Sequence, residues 1–219
     1  MAQRVKSRPY DSSRRRAQAA ATRRDILEAA QRLFEQQGYA ATTIAAIAAE
    51  AGVALKTVYL AFETKSGVLR ALWNLLLRGD QGEVPVAERS WYREVLAEPD
   101  PQRQLRLNAR NSRAVKTRIA GMLKVVRDAA PVDRDIEALW QRIQTEFHAN
   151  QRAVVQSLAD KQALKGQLDV DTATDILWSL NHPSVYWLLA GERGWSPERY
   201  EQWMTDLLCS QLLGGRSSA

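Results

Sequence analysis

The segment LKTVYLAF at 55–62 sets an ammonium, a hydroxyl and a phenol, on Lys56, Thr57 and Tyr59, inside an apolar run. If Leu55, Val58 and Phe62 define the inner side of a helix, Lys56, Thr57, Tyr59 and Leu60 point sideways or outward. Groups of this kind can read nucleobase edges. Lysine donates to guanine O6 or N7, and threonine offers a hydroxyl to a base and a methyl to thymine. Tyr59 suits a phosphate oxygen, as do Thr43 and Lys65 at the starts of the neighbouring helices. Leu55 and Leu60 press on thymine methyls, or Leu55 is buried.

A second cationic group, Arg14, Arg15 and Arg16, lies upstream. Residues 1–80 hold 13 Lys and Arg against 7 Asp and Glu, whereas residues 81–219 hold 18 of each, so the net charge of +6 sits in the first third. A segment so charged is drawn to a polyanion, because each neutralised phosphate releases a counterion. The three arginines either enter a minor groove beside the reading helix or belong to a solvated tail.

Catalytic chemistry finds little to use. His148 and His182 have no metal-ligand spacing with acidic residues, and Cys209 falls on a packing helix where a thiol serves as a small hydrophobe. One cysteine permits no internal disulfide, and neither G-x-x-x-x-G-K-[ST] nor G-x-G-x-x-G occurs. The expectation is a protein that is no enzyme and needs neither metal nor cofactor. No apolar run reaches the roughly eighteen residues of a membrane span, and no signal peptide is evident. A cytoplasmic chain without a membrane partner is expected.

The elements that would position these groups are all helical. Apolar periodicity starts at about Thr22 and runs through Ile26, Ala30, Leu33 and Phe34 to a stop at Gly38. Thr42 and Thr43 offer caps for a helix carrying Ile44, Ile47, Ala48 and Ala51. Gly52 breaks that run, a third helix covers about 55–62, and Thr64 caps a fourth that holds Leu69, Leu72, Trp73 and Leu76. Two helices joined by a short glycine-containing turn answer to the helix-turn-helix description. After a connection at 79–90, amphipathic helices are expected at about 91–97, 102–129, 133–160, 170–191 and 197–213, with prolines at their boundaries.

Residues 23–72 resemble the DNA-binding region of the TetR family of bacterial transcriptional repressors. The likeness is carried by ILEAAQRLFEQQGY, TTIAAIAAEAGV, TVYLAF and the TK that opens the fourth helix. It implies an all-α homodimer with three N-terminal helices on DNA and a larger helical domain that dimerises and usually binds a small ligand. Carried over by position, it implies that Thr43, Tyr59 and Lys65 touch phosphates and that Lys56, Thr57 and Leu60 face the groove. Three positions depart from the pattern. Ala54 replaces a frequent polar residue, Leu60 stands where an aromatic or histidine is common, and Ser66 replaces an acid.

The expected organisation is a basic, flexible arm at 1–22, a DNA-binding domain at 23–66, an effector and dimerisation domain at 67–215 and a tail at 216–219. The last two helices hold the dimer together, or both bury within one subunit. Pro183, inside the apolar stretch 176–191, should bend its axis by removing the bond to Ser179. Asn181 and His182 at that bend either orient a ligand or satisfy backbone and dimer contacts. The expected pocket residues are Met122, Trp140, Ile143, Phe147, Trp178 and His182, suited to an amphipathic or aromatic effector. Together these features predict a repressor released from a near-palindromic operator by that effector. The competing expectation is a helix-turn-helix DNA-binding protein with no effector.

Overall fold

The computed structural model describes residues 12–79, 85–166 and 168–214. They form helices throughout, and the chain divides into two compact units, 1–68 and 69–219. Among the described residues no single helix is long and apolar enough to cross a membrane.

The first unit holds α1 (Ser12–Ala41), α2 (Ile44–Glu50), α3 (Leu55–Phe62) and the opening turn of α4 (Lys65–Arg78). Its core is the predicted stripe, with Ile26, Ala30, Phe34, Ile47, Ala48, Val58 and Phe62 all buried. Burying side chains such as Val58 and Phe62 stabilises the unit by about 2 kcal/mol each. Gly38 interrupts α1 at φ 79° and ψ 172°, a region open essentially to glycine alone, so the chain turns there toward α2. Thr42 is buried and donates to the Gly38 carbonyl at 2.8 Å, which fixes that turn.

One expectation for this unit fails. α1 begins ten residues earlier than the apolar periodicity, at Ser12, so residues 12–22 are helix and not a flexible arm. SSRRRAQAAA contains no breaker and is rich in alanine and arginine, both strong helix formers, so the helix extends without a core to face. Residues 1–11 of the expected arm and the tail at 216–219 lie outside the described residues.

The second unit contains most of α4, then α5 (Ser90–Ala97), α6 (Pro101–Ala129), α7 (Arg134–Asp160), α8 (Val170–Leu180), α9 (Pro183–Tyr186) and α10 (Pro197–Leu212). α6 runs through the middle, packed by α5, α7, α9 and α10, while α8 lies against α7 and α10. Asp100, Asp133, Asp169 and Ser196 cap α6, α7, α8 and α10 through side-chain oxygens that accept from backbone N–H groups. The core joins Leu105, Ala109, Val154, Leu158, Leu177, Tyr200, Met204 and Leu208.

The single helix expected over 170–191 is three pieces. α8 stops at Leu180, His182 caps α9, and Pro183 occupies the first position of α9, where it lacks no hydrogen bond it could have made. Beyond Tyr186 the chain continues as a π-helical turn, Trp187–Glu192. Proline here starts a helix instead of bending one, because Asn181 has already closed the previous one.

Candidate nucleic-acid interface and cavity

In the first unit, α2 and α3 turn by 113° about the residues 51–54, within the range of a helix-turn-helix. Gly52 takes φ 65° in that turn, and Val53 N–H donates to the Ala48 carbonyl at 3.0 Å, which closes it. With Val58 and Phe62 buried, the opposite side of α3 faces solvent. Leu60 is 77% and Tyr59 48% exposed, Lys56 and Leu55 are exposed, and Thr57 is half-buried. The predicted reading side chains therefore share one outward surface.

Its flanks are built from the same unit. Thr43 is exposed and caps α2, its hydroxyl oxygen accepting from Ala46 N–H at 3.1 Å, so its own O–H remains to donate outward. Arg32 pairs with Glu50 at 2.9 Å and ties α1 to α2. The Arg23 guanidinium donates to the Ala61 carbonyl at 2.7 Å and lies 4.1 Å over the Phe62 ring, anchoring the end of α3.

Lys65 also makes contacts within the unit that its spacing did not suggest. Its ammonium donates to the Tyr39 and Thr42 carbonyls at 2.8 and 3.0 Å and sits 4.1 Å over the Tyr39 ring. Two of its three protons thus hold α1 against α4. Gly67, two residues later, marks a requirement that the spacing of polar groups does not reveal. A β-carbon there would stand 2.1 Å from the Phe62 carbonyl oxygen.

Arg14, Arg15 and Arg16 are exposed on the first turns of α1. Consecutive helical residues are about 100° apart, so the three fan over roughly 200°. In this form they do not share one face of the helix.

In the second unit, residues of α4 to α7, the segment preceding α5 and the α8–α9 junction enclose a cavity of about 530 Å³. Its walls include Trp73, Leu77, Val86, Trp91, Ile119, Leu123, Ile143 and Phe147. Of the six residues expected to line a pocket, Ile143, Phe147 and His182 do so. Met122 is buried in the core instead, and neither Trp140 nor Trp178 reaches the lining. Trp178 still packs edge-on against His182, whose ring also meets Phe147, at centroid distances of 5.6 and 5.9 Å. The indole N–H of Trp178 has no acceptor among the described residues.

The sequence reading passed over the residue with the most unusual setting. Lys116 lines this cavity yet is only 2% exposed. It donates to Asn181 Oδ1 at 2.5 Å and Tyr200 Oη at 2.9 Å, and the Asn181 amide in turn donates to Gln151 Oε1 at 2.9 Å and Ser112 Oγ at 3.1 Å. Burial pushes the Lys116 ammonium down to about 7. Burial, followed by the charges of Lys116 and Arg127, holds His182 below the usual imidazole range. Its Nδ1 accepts from Ser184 N–H at 3.2 Å. Burial also pushes Tyr92 up to about 12 and raises Tyr200 further, with Tyr186 adding to the latter. The signal was present: Lys116 falls on the stripe of Leu105, Ala109, Ile119 and Leu123, a position where helix geometry demands burial.

A helix-turn-helix with an outward face, followed by a helical unit with a cavity, is the arrangement that the sequence led one to expect of a DNA-binding regulator. Residues 26–72 match bacterial regulatory proteins, tetR family. The chain is 41% identical over 58 residues to the HTH-type transcriptional regulator AcrR of Shigella flexneri, an alignment that spans only 26% of this chain and 27% of that protein. It is 28% identical over 163 residues to the probable HTH-type transcriptional regulator ArpR of Pseudomonas putida, covering 73% and 76% of the two. Among solved structures, a complex of SmeT with triclosan shares the fold at 20% identity and a TM-score of 0.67, over 90% of this chain and 93% of that one. The likeness to the tetR family thus falls on residues 26–72, in the helix-turn-helix unit, and the likeness of the whole chain to the solved structure is one of fold.

Proposed function

We propose that the protein is a dimeric cytoplasmic repressor that leaves a near-palindromic operator when a small amphipathic or aromatic molecule enters the cavity of its second unit. The observation that carries this reading is the two-sided α3, buried at Val58 and Phe62 and exposed at Lys56, Tyr59 and Leu60. Paired recognition helices in a dimer occupy successive major grooves about one helical turn apart. Lys56, Thr57 and Leu60 face bases there, while Thr43, Tyr59 and the arginines at 14–16 meet phosphates. Lys65 acts on DNA by fixing the frame between α1 and α4.

The dimer reading draws on apolar surface beside the buried faces of two packed helices. Ile176 and Leu180 on α8, and Trp203 and Leu207 on α10, are each one position off those faces and remain partly exposed. A second copy would cover them. The effector reading draws on the cavity and on Trp73, Asn74 and Leu77 of α4, which line it on the same continuous helix that begins at Lys65. A ligand that favours one placement of α4 by about 1–3 kcal/mol changes operator affinity roughly 5–150-fold. The cavity also disfavours the alternative of a regulator without an effector.

Selection of bound fragments from genomic DNA, followed by footprinting, tests the reading. A dyad-symmetric site protected by two subunits is expected. Binding with no sequence preference across all fragments would overturn it.

A further inference from the structure

Most residues around the cavity are apolar, and its charged groups lie at different depths. Arg89 and Lys116 are both buried in the lining, and Arg142 lies near the rim. Glu146 is the one carboxylate among the described lining residues, and it is exposed and 3.8 Å from Arg142. Among the described lining residues, therefore, no acid stands against the buried Lys116. The partners of the Lys116 ammonium are two neutral oxygens, which leaves its third proton without an acceptor among the described residues. Two turns earlier on the same wall, the buried Asn108 amide nitrogen has no hydrogen-bond partner among the described residues either. Asn108, Ser112 and Lys116 follow at four-residue intervals, so they stand in a row along α6. Ile119 and Leu123 continue that wall as hydrocarbon.

We infer that the cavity takes an acidic amphipathic molecule, a carboxylate on an aromatic or alicyclic body, with its anionic group against Lys116 and the donor row and its body against Ile119, Leu123 and Phe147. The inference rests on the cavity being the effector site and adds the chemical class of its ligand. A buried ammonium without a counter-ion is costly, and a bound carboxylate supplies that counter-ion at a group only 2% exposed. A neutral molecule of the same shape gains the apolar contacts alone.

The same geometry makes binding depend on pH. Lys116 must be protonated to pair with the acid, and burial brings its free-state titration to about pH 7. Affinity for an anion should fall toward tenfold per pH unit above that point. The other titratable or charged groups around it are Tyr200 from α10, His182 at the α8–α9 junction, Arg89 at the start of α5 and Tyr92 within it, and Arg142 and Glu146 from α7. His182 is held below, and Tyr92 and Tyr200 above, a window of pH 7–9.

The test uses 2-naphthoate and the neutral 2-naphthamide, matched in shape, titrated into the full-length protein by calorimetry and tryptophan fluorescence. At pH 6 naphthoate should bind at least tenfold more tightly. Its advantage should shrink between pH 7 and 9, with protons taken up on binding as seen in buffers of different ionisation heat. Lys116→Met should abolish the preference, bringing naphthoate to the affinity of naphthamide at every pH. If that variant does not fold, the wild-type pair and its pH profile decide alone. Equal binding of the two probes, or a preference independent of pH over 7–9, overturns the acidic-ligand inference while leaving the cavity as an effector site. Failure of both probes to bind at millimolar concentration overturns the effector site and the inference with it.

Discussion

Replacing Lys116 by methionine removes a buried charge and keeps most of the side-chain volume, so the effect on stability follows from titration. In an unfolded chain the lysine keeps its ordinary value of 10.5, whereas burial in the native protein lowers it to about 7. Between those values the unfolded state holds a proton that the native state lacks. Stability of the wild type therefore rises with pH across this window, at up to about 1.4 kcal/mol per unit. Below pH 7 the native state carries the buried ammonium at a cost on the order of 4–5 kcal/mol. Methionine has no such dependence, but it deprives Asn181 Oδ1 and Tyr200 Oη of a donor, a penalty of about 1–3 kcal/mol for each group left unsatisfied. That penalty sets the height of the difference curve and not its slope. From pH 7 to pH 9 the wild type should gain roughly 2 kcal/mol relative to Lys116→Met. Urea unfolding of both proteins at pH 7, 8 and 9 measures the difference directly: groups that do not feel Lys116 cancel in it, and His182, which does, is held below that range. Curves that stay parallel to within about 0.5 kcal/mol would refute the buried, depressed lysine.

Three further substitutions separate reading, framing and folding in the first unit. Lys56→Ala should leave the melting temperature unchanged but weaken specific binding by about 1–3 kcal/mol and blur preference at one base position, as measured by selection from a randomised operator. Lys65→Met should lower DNA affinity and also stability, since two charge-assisted bonds worth about 1.5–3 kcal/mol each are lost; a pure phosphate contact would lower affinity alone. Gly67→Ala should destabilise the unit by on the order of 3 kcal/mol, because the new methyl meets backbone and not a movable side chain. An unaltered thermal midpoint for that variant would contradict the close approach. Replacing Arg14, Arg15 and Arg16 together by alanine should lower the slope of log affinity against log salt by up to about 3, and an unchanged slope would remove them from the DNA surface.

The DNA-binding half was legible because every signal it uses is local. Three-and-four spacing marked α1 to α4, Gly38 and Gly52 marked their stops, and α3 has the predicted bounds of 55–62. An outward face follows from an inward one by helix geometry, so Lys56, Tyr59 and Leu60 could be assigned without coordinates. What was missed there depends on contacts distant in the chain. Lys65 and Tyr39 lie twenty-six positions apart, and nothing in either local pattern says that the ammonium of one seeks the carbonyl of the other. The start of α1 was missed for the opposite reason. Periodicity detects only helices that bury a face, and residues 12–22 form a helix on propensity alone.

The cavity was legible as a likelihood of composition but not as a list of residues. Tryptophans attracted the reading to Trp140 and Trp178, yet a large ring is as useful for filling a helix junction as for lining a void. Trp178 does the former, packed on His182. Lys116 carried a stronger signal of a different kind, a charge on the buried stripe of a long amphipathic helix. A lysine at such a position has three outcomes: it reaches solvent along its stem, it finds a carboxylate, or it gives up its proton. Here the stem does not escape, since the residue is buried, and the partners are an amide and a phenol. The third outcome remains near neutral pH, poised so that a modest external charge can reverse it. A misplaced charge in an otherwise regular pattern is thus better evidence for a binding site than an abundance of aromatic rings, because the core alone gives no reason to keep it.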